Sequence, residues 1–265
     1  MKFSTFIFAG GIAWTLSSCL GFENGLNAIN SVSLPEKNIT LGSSLMKYLL
    51  TDSLIADSIV NIQESNQVQK KMDEMLELTD RISKTKSDKT WSELSSKWND
   101  FNMDEVGKVK QISSTEKLSR EWANINIRLL KLSGEVRFAD VLEKMIYESK
   151  VPILTEKMIQ SIIFTRVDDQ VFVNLIGPSE MNYQHTTGGN IKIIQKTDFP
   201  ANQEMTILIE CDDKRFMAIY IRIPEWAVNP TVNHGNVKYV PYPGQFCEVS
   251  RMWNNGDEIK VTLKN

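Results

Sequence analysis

The hydrophobic pattern of this chain changes period at Pro152, and that change limits the class of fold open to it. Before the proline, apolar residues recur every three or four positions; beyond it they alternate. The first spacing gives a helix one buried face, and the second does the same for a strand. A run of helices followed by a run of strands makes an α+β protein rather than an alternating one. Pro152 itself discourages helix shortly after Ser149, because its ring removes a backbone donor and crowds the preceding turn.

Within the helical part, Leu45, Tyr48, Leu49, Asp52 and Ile55 to Ile59 give a first stripe of imperfect spacing. Val68, Met72, Met75, Leu76 and Ile82 give a second. The charged run Lys84 to Lys89 offers nothing to bury and reads as a solvated loop. Thr90-Trp91-Ser92-Glu93 is a capping-box pattern, in which hydroxyl and carboxylate each satisfy an orphan amide of the first turn. It predicts a third helix whose Trp91, Leu94, Trp98 and Phe101 face the core rather than a sugar. Trp122, Ile125, Leu129, Leu130 and Leu132 form a further apolar face, and Phe138, Val141, Leu142, Met145 and Ile146 the next. Gly134 stands between them where a left-handed cap is needed, and the short connection makes the two helices antiparallel neighbours.

Beyond Pro152, Val171, Val173 and Leu175 alternate with their neighbours, as do Met205, Ile207 and Ile209, and then Met217, Ile219, Ile221 and Ile223. Gly188-Gly189, Asp212-Asp213, Pro243-Gly244 and Asn254-Asn255-Gly256-Asp257 supply the reversals between them. Short strands at regular intervals, several apolar on both faces, predict two packed antiparallel sheets, a β-sandwich.

The ends and the composition narrow the setting. Lys2 and the apolar run Phe3 to Leu16 are too short for a durable membrane span and read as an export signal. Leu16-Ser17-Ser18-Cys19 resembles the bacterial lipobox, which implies that residues 1–18 are removed and that Cys19 carries a lipid. The expected setting is the cell envelope, lipid-anchored, or else the periplasm or exterior. Residues 19–38 suit a polar tether, 19–150 a helical region, and 151–265 the sandwich. Thirty basic against thirty-three acidic side chains, with no basic block interleaved with aromatics, argue against nucleic acid as a partner. Cys211 and Cys247 lack zinc-ligand spacing; they are either a disulfide or two buried thiols.

Several segments resemble one known family, in order. The run from Glu121 to Tyr147 resembles a helix pair of glycoside hydrolase family 127, the β-L-arabinofuranosidases. Val171 to Glu180 looks like that family's first sandwich strand, and Gln195 to Pro200 like the turn before the next. Ile221 to Ala227 and Ser250 to Asp257 are similar to two further signatures, so the resemblance covers about Glu121 to Leu263. It implies that the helical region is part of an (α/α) toroid. The part before Lys110 is too short to complete six hairpins, and the given chain stops at Asn265, where family members continue.

The resemblance also implies a catalytic apparatus: a cysteine thiolate held on zinc by a glutamate and further cysteines, with a separate carboxyl group as acid and base. The family's Glu-Thr-Cys motif stands here as Glu121-Trp122-Ala123. Its second motif, a cysteine pair before Pro-Pro-Asn, falls in Glu148 to Gln170, which contains no cysteine. A nucleophile and metal ligands are therefore missing, and no zinc or other cofactor is expected. Glu121 and Glu105 are vestigial catalytic candidates; Glu105 precedes Glu121 by a separation like that between the family's acid/base and its zinc-binding glutamate. His185 and His234 form no dyad that sequence supports, His234 reading as a loop residue, and Trp226 and Trp253 read as core. The expected function is an inactive relative that binds a plant-type glycan. The alternatives are an active glycosidase using a displaced carboxylate pair, and a decayed gene fragment.

Overall fold

The computed structural model describes residues 36–49, 62–106, 116–149 and 152–264. The expected export signal over residues 1–18, the expected lipidation at Cys19 and most of the first predicted helical stripe lie outside them.

Helices α2 (Ile62–Thr85) and α3 (Asp88–Val106) follow a short helix α1 (Ser43–Met46). Val68, Met72, Met75, Leu78 and Ile82 are buried at steps of four and three, forming one face of α2. The loop expected over Lys84 to Lys89 shrinks to Lys86 and Ser87, because the same small polar residues that suit a loop also suit a cap. Lys86 takes φ 48°, and Ser87 Oγ accepts from Thr90 N at 3.4 Å. Asp88 adds negative charge at the positive end of the helix. Helix α3 therefore starts a turn earlier than the predicted capping box, and Thr90 is buried. Leu94, Trp98 and Phe101 face the core as predicted.

Helix α4 (Glu116–Ser133) and helix α5 (Val136–Tyr147) are joined by Gly134 and Glu135, with Gly134 at φ 68°. Trp98 stacks on Trp122 with ring centres 6.0 Å apart and donates its Nε1–H to the fully buried Asn126 Oδ1 at 3.0 Å. Arg137 on α5 reaches back to α3, donating to Asn99 Oδ1 and Ser95 Oγ, each at 2.8 Å, while its guanidinium lies over Trp98 and Phe138. These contacts fix α3 against the α4–α5 pair.

A five-residue helix α6 (Glu156–Gln160), capped by the hydroxyl of Thr155, follows Pro152. It is too short to leave a periodic signal, and the alternation was not expected to be preceded by helix. Strands then build two sheets. The first, in the order β1-β4-β5-β6-β11-β8-β9, comprises β1 (Ile39–Leu41), β4 (Ser179–Gln184), β5 (Asn190–Thr197), β6 (Glu204–Cys211), β11 (Asp257–Lys264), β8 (Val228–His234) and β9 (Val237–Tyr239). The second, in the order β10-β7-β3-β2, comprises β10 (Gln245–Trp253), β7 (Arg215–Ile223), β3 (Gln170–Val173) and β2 (Phe164–Val167).

Their inner faces share one core. Met205, Ile207 and Ile209 of β6 and Met217, Ile219, Ile221 and Ile223 of β7 are buried in it, and Tyr183 Oη on β4 reaches Met217 Sδ on β7 at 3.0 Å. The pairings are antiparallel except one: β3 runs parallel to β7, correcting the expectation of purely antiparallel sheets. Three strands of the other sheet intervene between β3 and β7, and a connection that long can return the chain in either direction.

Two expectations about strand boundaries also change. The run from Val171 to Glu180, read as a single strand, is split between the two sheets, β3 ending at Val173 and β4 starting at Ser179. Buried Asn174 diverts the chain, its Nδ2 donating to Ile162 O at 2.8 Å and Thr165 Oγ1 at 3.0 Å. Secondly, Ile39–Leu41 pairs with β4, so a piece of the region expected to be helical completes the edge of a sheet. Close approach there requires glycine: a Cβ on Gly42 would lie 2.7 Å from Pro178, and one on Gly177 would lie 2.8 Å from Leu45.

Candidate functional site

Glu121 opens onto a cleft of about 520 Å³ between α2, α4 and α6. Helix α4 supplies one wall through Glu121, Asn124, Arg128 and Lys131, positions that follow one another along a single helix face. Asp73 and Leu76 of α2 stand on another side, with Lys157 and Met158 of α6 on a third. Several of the polar groups are partly committed. Asp73 Oδ1 accepts from Gln69 Nε2 at 3.0 Å, and Arg128 Nη1 donates to Asp80 Oδ1 at 2.9 Å. Glu121 Oε2 is closed off from solvent and has no hydrogen-bond partner.

Ala123 lies elsewhere. It is fully buried in the core, and on a continuous helix two positions are separated by about 200° of rotation. Glu121 and residue 123 therefore point to opposite sides of α4, and even a cysteine at 123 would not share an ion with Glu121 on this helix. The groups nearest Glu121 along its own face are an amide and two cations, and Lys157 adds a third across the cleft; positive charge opposes a divalent ion. Cys211 on β6 and Cys247 on β10 are buried, are not in a disulfide, and belong to the sheets. Among the described residues no three His, Cys, Asp or Glu gather into a metal-binding group. The donor set around Glu121 does not fit the zinc ion that the resemblance implies. Glu105 lies on the last turn of α3, and its side chain falls outside the described residues.

The carboxylates that do come together are Asp140 and Glu143, on successive turns of α5. Both are ion-paired to Arg222 of β7, which is 1% exposed and also donates through Nε to Asn174 O. Asp140 accepts from Glu225 N at 3.3 Å, and Glu143 from Trp226 Nε1 at 3.0 Å. Burial raises both carboxyl groups above their ordinary range, against the lowering pull of Arg222. One guanidinium faces two buried acids here. Sequence reasoning passed over it because Asp140 and Glu143 look like the solvated side of an amphipathic helix; the signal was Arg222, set on a strand beside otherwise apolar residues. The cluster is buried. It joins the helical hairpin to the smaller sheet.

The two histidines are structural. His185 is buried, accepts at Nδ1 from Thr187 N at 3.1 Å and lies 3.2 Å from Asp169 through Nε2, stapling the β4–β5 turn to the β2–β3 turn. His234, expected in a loop, is instead the buried last residue of β8. Its Nδ1 meets Glu258 O at 2.8 Å and its ring packs edge-on against the fully buried Trp253, 5.1 Å away. The loop residue is Gly235, one position on, at φ 54°. Trp226 is partly buried and stacks on Phe199.

Residues 170–265, from β3 onward, match the family model described as the middle domain of β-L-arabinofuranosidase, glycoside hydrolase family 127. This stretch is family-127-like. Its fold is shared with a solved glycoside hydrolase (TM-score 0.51, 16% identity, 57% of this chain and 33% of the other). It is shared also with a family 127 β-L-arabinofuranosidase from Geobacillus stearothermophilus T6 (TM-score 0.50, 18% identity, 57% and 32%). The chain thus spans about a third of the length of these structures. No curated protein matches the sequence.

Proposed function

We propose that the chain is a non-catalytic relative of the family 127 enzymes that holds a plant-type glycan at the cell envelope, anchored through a lipid on Cys19. The two facing sheets read as the family's β-sandwich, and helices α2 to α5 as part of an (α/α) toroid. The observation that carries the reading is the division at Glu121 and Ala123: the glutamate remains in an accessible cleft, while the position of the expected cysteine is core. Loss of a covalent nucleophile costs several powers of ten in rate, while a cleft of this size still suits a small ligand.

Asp73 and Glu121 line the same cleft from different helices, and this favours a second reading, hydrolysis by a carboxylate pair. Aryl arabinosides assayed with wild type and Glu121→Gln separate the two: the proposal expects no turnover, and Glu121-dependent turnover would overturn it. A glycan array on the same protein tests binding, and silence in both assays favours a decayed fragment. Labelling with radioactive palmitate, lost in Cys19→Ala, tests the anchor.

A further inference from the structure

We infer that two copies of this chain pair edge to edge through β10, antiparallel about a two-fold axis at Val249, so that the smaller sheet of one copy continues into that of the other. The inference goes beyond the glycan-binding reading and does not depend on it.

Three of the four sheet edges are short: β1 and β9 have three residues each and β2 has four. Such edges give another strand little to pair with. The fourth, β10, is nine residues long, holds no proline, and stays in register with β7 from Gln245 to Trp253 without a bulge. Among the described residues β10 pairs with β7 alone. The direction of its backbone groups follows from its neighbours. On β7, Ala218 N donates to Asp169 O at 3.1 Å and Phe216 O lies 3.0 Å from His185 Nε2, both on the side of β3. In an antiparallel pair, a residue whose backbone groups turn away from the partner strand stands opposite one that does the same. Ser250 stands opposite Ala218 and Met252 opposite Phe216. The N–H and C=O of Ser250, and of Glu248 two positions back, therefore point out of the open edge.

A second copy is an occupant whose side chains match. With the axis at Val249, Ser250 of each copy exchanges N–H to C=O bonds with Glu248 of the other, setting a hydroxyl beside a carboxylate. Met252, exposed beside the exposed Phe216, stands opposite Phe246 of the other copy, and Arg251 stands opposite Cys247. No charge directly meets its like, which a two-fold at Glu248 or Arg251 would require. The pairing is isologous, so it closes at two copies. One strand pair makes an interface at the small end of the specific range, and the association is accordingly weak, on the order of micromolar.

The test is sedimentation equilibrium of the full chain, with reductant present to exclude disulfide-linked pairs, from about 1 to about 100 μM. The inference expects a monomer–dimer equilibrium with no larger species. Ser250→Pro removes an outward N–H from each copy, and Met252→Lys sets an exposed charge against Phe246 of the other copy. Each should raise the dissociation constant by at least about tenfold. Proline is tolerated on an edge strand where its missing N–H faced solvent, and Met252 is exposed, so both variants should melt with wild type at concentrations where wild type is monomeric. Hydrogen exchange supplies a readout that needs no variant: the amides of Glu248 and Ser250 should gain protection as concentration rises, and those of β2 should not. A chain that stays monomeric throughout, a dimer indifferent to both variants, growth beyond two copies, or amides of Glu248 and Ser250 that exchange equally at all concentrations would each overturn the inference.

Discussion

Replacing Arg222 by alanine should be among the most damaging single changes in this protein. The guanidinium is 1% exposed and holds Asp140, Glu143 and the carbonyl of Asn174 at once, joining α5, β7 and the link between β3 and β4. Its removal leaves two carboxyl groups and a carbonyl in a buried site. The backbone N–H of Glu225 and the indole of Trp226 remain as donors, one to each acid, so the loss is partial. Breaking a buried ion pair from one side costs about 3–5 kcal/mol. For a chain of this size each kcal/mol is worth roughly 2–4 °C, so the melting temperature should fall by roughly 6–20 °C. Urea denaturation followed by circular dichroism reads the same quantity. Arg222→Met, which keeps volume and loses charge, should be as harmful as alanine, because the acids are equally abandoned. A loss below about 1 kcal/mol in both variants, the range of an exposed pair, would refute the idea that this cluster locks the hairpin to the sheet.

Other expectations concern the same contacts and their neighbours. Asp140 and Glu143 have folded-state pKa values raised above the ordinary 3.8 and 4.5, so their contribution is fully present below those values and is lost as pH rises through the raised ones. Wild type should therefore gain stability on acidification from neutral toward pH 4.5 relative to the Asp140→Asn/Glu143→Gln variant, as measured by urea midpoints across pH; a wild type losing stability over that window would contradict the assigned direction. Gly177→Ala should cost about 1–3 kcal/mol in urea unfolding, since its methyl would stand 2.8 Å from Leu45 and 3.1 Å from Tyr147 Oη. Ser87→Ala should cost about 1 kcal/mol by removing the cap of α3, whereas Ser92→Ala, in the predicted but unused capping box, should be nearly neutral.

The helices and strands were legible where a residue's periodicity outlasted a few turns or pairs. Trp122 to Ile146 and Met217 to Ile223 each repeat their pattern often enough for burial to be read from spacing alone. Short pieces were not: Ile39–Leu41 and Glu156–Gln160 hold too few residues to show a period, and each is held by a partner distant in sequence, β4 for the first and, through the bond from Gln160 Nε2 to Ile39 O, β1 for the second. The parallel pairing of β3 with β7 escaped notice because alternation says which face is buried and nothing about strand direction. At the candidate site, Glu121 was visible as a residue, and its cleft was not, because Lys157 lies 36 positions away and Asp73 lies 48 positions away on the other side. The Arg222 cluster needed three-dimensional contact to join Asp140 and Glu143 to a strand some 80 residues further on.

The central claim is that the cleft at Glu121 no longer holds the metal on which the family's cysteine chemistry is implied to depend. Its most direct test is the zinc content of the full-length protein, purified without chelator and dialysed against metal-free buffer, by mass spectrometry of the digested sample. The account predicts zinc at background level, unchanged by Glu121→Gln. Stoichiometric zinc that disappears in Glu121→Gln would contradict it.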